Sequence, residues 1–217
     1  MLSARSTILL IVLLAASTVE AQRRTPPRKP AAPPAPPKQE AAKVTCPEPL
    51  GVGVKTKASF CFVLAGRDPA TGVLVAIPPH TGEATLLFDL HNRHTYSEEE
   101  VRAGRGFATY SAVIGVLALK GDLLGRGAVQ SEFRKAGDLY DRITGGAGPG
   151  GVKAVAPLGH EEVSLAIPAN VNEVSLLGEV LQGKTSAGRE NAAPGRPVAI
   201  VSNVRVEYRP APPPRKR

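Results

Sequence analysis

The residues best suited to chemistry in this chain form one local cluster. His91-Asn-Arg-His94 follows closely on Asp89. Imidazole nitrogens and a carboxylate are ligands for a divalent cation, and a catalytic zinc needs three of them plus an open position. On a strand Asp89 and His91 share a face while His94 has the opposite parity, so a turn after Asn92 would have to bring His94 back. The H-x-x-H spacing differs from the i, i+4 helical pair of the zincins. His80, or the run His160-Glu161-Glu162, would have to complete such a site. A metal-dependent hydrolase using Asp89, His91 and His94 is the catalytic reading of this cluster; a polar strand end is the plain one.

Two phosphate-binding patterns occur by letter and fail by context. Gly178 to Thr185 spells GxxxxGK[ST] after an apolar run. The mechanism needs a helix whose N-terminus faces the phosphates, and the segment from Ser186 to Gly195 is too short and too broken for one. It reads as a strand end followed by a turn and loop. Gly146, Gly148 and Gly151 match GxGxxG, but Pro149 lies within the match and an apolar run follows where the fingerprint requires a helix. No G-x-S-x-G elbow is present. The sequence therefore assigns no catalytic residue, no nucleotide and no cofactor.

Sugar-binding surfaces use amphipathic aromatics. The chain has no Trp and only four Tyr. Tyr96 and Tyr140 are the two that fall near loops, and they are the candidate ligand contacts. Phe60, Phe62, Phe88, Phe107 and Phe133 fall on strand patterns and read as core.

The elements that must position these residues read as strands. Apolar and β-branched runs recur at Val52–Lys57, Phe60–Ala65, Val73–Ile77, Thr85–His91, Phe107–Ala118, Leu123–Phe133, Val152–Ala156, Val163–Ile167, Glu173–Leu181 and Val198–Tyr208. Gly, Pro, Asp and Asn separate them. Val204, Val206 and Tyr208 alternate with Arg205 and Glu207, the period of a strand with one buried face. The pattern predicts an all-β fold, a single jelly-roll-like β-sandwich over 44–208. One short helix is expected, with Ser97 as N-cap, Glu100 completing a capping box and Gly104 at the end. Between Gln130 and Ile143 the reading is a strand followed by a turn. Cys46 and Cys61 are the only cysteines, and an even pair in an oxidising compartment predicts a disulfide.

That compartment is inferred from the other end of the chain. Arg5, the apolar run Ile8–Ala16 and the small residues Val19 and Ala21 have the form of a secretory signal over 1–21. The run is shorter than the roughly 20 residues of a membrane span. A Pro-rich basic linker follows over 22–43, and 209–217 is a similar basic tail; both are expected to be disordered. The protein is expected to be exported, periplasmic or extracellular. The formal charge is +8. Arg23, Arg24, Arg28, Lys29, Lys38 and Lys43 stand against Glu40 alone in the linker, and the tail carries Arg209, Arg215, Lys216 and Arg217 with no acid. The body between them is close to neutral. A nucleic-acid binder needs a basic folded face, so nucleic acid is not the expected partner. Basic exported tails suit an anionic envelope polymer, with strong salt dependence.

The runs Val163-Ser-Leu-Ala-Ile-Pro168, Asn172-Glu-Val-Ser-Leu-Leu177 and Ile200-Val-Ser-Asn-Val-Arg-Val-Glu-Tyr208 resemble the closing strands of jelly-roll sandwiches of the galactose-binding-like and carbohydrate-binding-module type. The resemblance implies a sandwich with a ligand surface on one face or rim, and it transfers no functional residue. The expected function is thus a non-catalytic structural or binding module of the cell envelope. A carbohydrate or envelope-polymer binder and the metal-dependent hydrolase are the alternatives.

Overall fold

The computed structural model describes residues 36–93, 98–103, 107–132, 140–144, 152–155, 160–185 and 188–212. Its strands are β1 (Lys38–Ala41), β2 (Lys43–Thr45), β3 (Pro49–Gly53), β4 (Ser59–Leu64), β5 (Val73–Ala76), β6 (Ala84–Asn92), β7 (Phe107–Ala118), β8 (Leu123–Glu132), β9 (Asp141–Thr144), β10 (Val152–Val155), β11 (Glu161–Ile167), β12 (Glu173–Thr185), β13 (Gly188–Asn191) and β14 (Pro197–Tyr208). The first sheet runs β10-β9-β3-β4-β14-β6-β11, with β1 also on β14. The second runs β2-β5-β12-β7-β8, with β13 also on β12. The pairings between these strands are antiparallel, and the two sheets pack into a sandwich as the alternation predicts. A helix, α1 (Glu98–Arg102), is present between β6 and β7. Ser97 and Gly104 lie outside the described residues.

Residues from alternate positions fill the space between the sheets. Ala84, Leu86, Phe88 and Leu90 of β6 meet Ala112, Ile114 and Val116 of β7 and Val174 and Leu176 of β12 in one buried cluster. Two glycines of β8 face β11 at close range. A Cβ built at Gly125 would lie 2.6 Å from Leu165 Cδ2, and one at Gly127 would lie 3.1 Å from Val163 Cγ2. Glycine at these inward positions makes room for the β11 side chains.

The long strands follow the sequence pattern, and four short ones do not. β1, β2, β9 and β13 fall outside the runs that the pattern predicts. The sheet begins at Lys38, inside the stretch assigned to the linker. Lys38–Ala41 pairs with Tyr208–Arg205, and Tyr208 donates to Glu40 Oε1 at 2.8 Å. The expected strand Val52–Lys57 is displaced: β3 is Pro49–Gly53, and residues 54–56 form the turn into β4. The Asp141 carboxylate holds that turn. It accepts from Lys55 N at 3.0 Å, Thr56 N at 2.8 Å, Thr56 Oγ1 at 2.6 Å and Arg142 N at 2.7 Å. Burial pushes the Asp141 carboxyl up, but these hydrogen bonds outweigh it and hold the group below its ordinary range.

The GxxxxGK[ST] match from Gly178 to Thr185 is a strand throughout its length. β12 continues to Thr185 and pairs with β7 along it, with register shifts after Gly178 and Lys184. The loop expected there is absent because β13 pairs back onto Gln182–Thr185. An extended backbone has no concave array of amides to hold a phosphate. The glycines of the GxGxxG match lie outside the described residues.

Candidate functional site

β6 presents Asp89 and His91 on the face of the first sheet that points away from the main core. Two things cover that face. Leu50, Phe60, Ile143 and Ile200 form a second, smaller apolar cluster there, with Phe62 and Tyr140 packed against it. Beside it lies a polar cluster. The register Glu161↔Leu90 places His160, the residue before β11, opposite His91, and their rings stack with centroids 5.0 Å apart. Tyr140, the residue before β9, lies over both, 4.8 Å from the His91 ring and 4.6 Å from the His160 ring.

Asp89 is the hub of the polar contacts. Its Oδ2 accepts from Tyr140 OH at 3.4 Å and from Asn203 Nδ2 at 3.2 Å. His160 Nε2 is 3.2 Å from Oδ1 but is not aligned as a hydrogen bond. His91 turns elsewhere: its Nε2 is 2.8 Å from Ser202 Oγ, while its Nδ1 finds no partner among the described residues. Burial, and next the charge of His160, pull the His91 pKa down to about 3 against the opposing influence of Asp89. Burial and then the Asp89 charge push the Tyr140 phenol up.

A hydroxyl on an imidazole nitrogen is the start of an activated nucleophile. The arrangement lacks the third member, because Asp89 engages His160 and not His91 Nδ1. Ser202 and His91 are also 1 % and 0 % exposed, so neither side chain is open to solvent. The cluster acts as a polar knot that ties β6, β11 and β14 to Tyr140 at the start of β9. Among the described residues, no three His, Cys, Asp or Glu side chains converge as metal ligands.

The predicted residues are thus partly brought together. Asp89, His91 and Tyr140 meet; His94 and Tyr96 lie outside the described residues. Tyr140 is half-buried, its ring packed against His91, His160 and Phe60. His80 lies apart, bonded to Pro78 O at 2.8 Å and bridged to Pro210. Sequence reasoning missed Ser202 and Asn203. Their signal is the polar pair Ser-Asn interrupting the apolar alternation of β14.

That pair marks a bulge with an opening beside it. Val201 and Val204 both contribute to the main core, which strict alternation forbids for residues three apart. The pairing with β6 shifts between Ser202 and Arg205, and Asn203 takes up the extra residue at φ 52°. On the other edge of β14, β4 pairs up to Val201 and β1 pairs from Arg205. Between them lies a cleft of about 650 Å³ lined by Val44, Val52, Phe60, Val201 and Val204 and by the Cys46–Cys61 disulfide. The disulfide joins residues whose Cα atoms are 5.9 Å apart, as the sequence predicts, and it suits an oxidising compartment. Among the described residues, Lys57 is the one charged side chain lining the cleft.

No family model, curated protein or solved structure matches the chain.

Proposed function

We propose that the protein is an exported, non-catalytic β-sandwich module of the cell envelope. In this reading its basic tails draw it to an anionic polymer, a glycan among the candidates, and its body binds instead of turning a substrate over. The observation that carries this is the contrast between two places in the body. The serine–histidine pair is sealed from solvent, whereas the open cleft at the β14 bulge is mostly apolar and, among the described residues, lined by no acid. A site built to bind has that composition; a hydrolytic site needs an acid or base within reach of its substrate. The disulfide and the concentration of positive charge outside the near-neutral body support export and polymer attraction. The galactose-binding-like reading belongs with this proposal, supported by the quoted residues contributing to β11, β12 and β14 of one sandwich.

Affinity capture from the native envelope tests it, with the chain from Gln22 compared with residues 37–212. The shorter form keeps β1 and the contact of Ala211 N with Pro79 O. The expected result is salt-sensitive capture by the longer form and its loss in the shorter. Equal, salt-insensitive capture by both removes the role of the tails. Finding the protein with its leader attached in the cytoplasm removes export.

A further inference from the structure

Resting on the binding-module reading, we infer that the cleft at the β14 bulge is a site for an anionic amphiphile, an aliphatic chain bearing a carboxylate or phosphate head. Three independent features converge there. The first is the lining: mostly aliphatic side chains, one buried phenylalanine and a disulfide, with Thr56, Ser59 and Asn203 as its neutral polar members, in a volume typical of small-molecule clefts, about 300–1,000 Å³.

The second is backbone strain. Among the described residues, Lys57 (φ 59°) and Asn203 (φ 52°) are the two non-glycine residues with positive φ, and both line this cleft. Asn adopts this conformation readily, whereas Lys pays for it in strain. Strain of this kind persists where the surroundings over-determine it, and it gathers at ligand sites. Here the surroundings are visible. Asp141 clamps the turn from behind through the amides of Lys55 and Thr56, and Lys57 N donates to Gly53 O at 3.2 Å. The clamp presents the Lys57 side chain at the mouth of the cleft.

The third is charge. Lys57 is a cation on the lining, Lys55 stands on the same turn, and no carboxylate among the described residues lines the cleft. The Asp141 charge is consumed by its four donors. Val52, exposed beside the mouth, adds apolar surface that the sandwich itself does not use. An apolar interior with a cationic rim matches a fatty carboxylate and disfavours the same chain with a cationic head. It equally disfavours the chain's own linker, whose Pro/Ala tract carries Arg28 and Lys29.

Calorimetric titration of the chain from Gln22 with palmitate, below its micellar concentration, tests the inference. The control ligand is the same hydrocarbon chain bearing a trimethylammonium head. One palmitate per chain is expected, with the cationic control at least about tenfold weaker. Lys57→Glu should weaken palmitate by a similar factor. Lys57→Gly should also weaken it while leaving the melting temperature unchanged or raised, because glycine relieves the positive φ. Ala42→Trp, which fills the cleft, should abolish binding; should that variant fail to fold, the two Lys57 variants decide. No palmitate binding, equal binding of both head groups, or full affinity in the Lys57 variants overturns the site. Binding that emerges only after removal of residues 22–35 overturns it too, since the linker is then the occupant. Envelope capture that survives any of these results leaves the wider proposal standing, and palmitate binding without capture does the reverse.

Discussion

β12 and β14 are built alike and finished differently. Each is a long strand with a full-length neighbour on one edge and two short strands on the other. β12 carries β5 and β13, and β14 carries β4 and β1. Each has a bulge between its two short partners, and at each gap the chain passes from the first sheet to the second. At β12 the passing chain fills the gap. Ala65 bridges to Gly178 and Gly66 N donates to its carbonyl at 3.3 Å, while Val198 packs against the glycine from below. The groove above it is smaller, about 440 Å³, and carries both Arg67 and Glu179. At β14 the passing chain makes one bond, Ala42 N to Val204 O at 2.9 Å, and the rest of the gap stays open. A gap closed by backbone is a seam. The open gap is bordered by the two positive-φ residues Lys57 and Asn203, and it is the cleft proposed above to take a ligand.

The comparison breaks first at its closed end. Gly178→Val should be the most damaging change, because its Cβ alone would sit 2.5 Å from Val198 Cγ2 and 3.2 Å from the Ala65 backbone. A loss of about 3 kcal/mol or more is expected in urea unfolding, and a native-like midpoint would show that the seam is not packed as described. At the open end, replacing Cys46 and Cys61 together by Ser should cost about 3 kcal/mol through the released loop. It should also weaken palmitate binding; unchanged affinity would mean that the disulfide does not shape the cleft.

Acid sharpens the comparison from the side of the polar knot. The His91 pKa is lower in the fold than in the unfolded chain, so its contribution is present above the unfolded value and lost as pH falls from about 6.5 toward about 3. Between about pH 7 and about pH 5 this group should remove about 2 kcal/mol. His91→Gln should flatten that part of the stability profile, and an unchanged slope would assign the acid sensitivity elsewhere. The smallest effect is expected at the bulge itself. Asn203→Val should cost about 1–2 kcal/mol at its positive φ, and Asn203→Gly only a few tenths. Equal melting temperatures for the two would mean that the bulge relaxes freely.

What was legible in the chain tracks how each strand is stabilised. β6, β7, β11 and β14 carry their own alternating apolar residues, so their positions follow from the sequence. Lys38-Gln-Glu-Ala41 and Gly188-Arg-Glu-Asn191 carry almost none; they are strands because a longer strand lies beside them, and no local pattern records that. Asp89 and His91 share a face, as parity requires. The meeting of His160 with His91 depends on the register of two strands far apart in sequence, which alternation alone leaves undetermined. The cleft is further from view, since it arises from a gap between strands and belongs to no single segment.

The position of the disulfide has a mechanical consequence. Tension entering from the N-terminal side reaches β1 first and then β2, both short and each joined to the sheets along one edge. Peeling them frees the stretch from Lys38 to Cys46, roughly 30 Å when extended. There the covalent link to Cys61 transfers the load directly into β4, a central strand of its sheet. A pulled domain would therefore lengthen by a short, defined step and then resist.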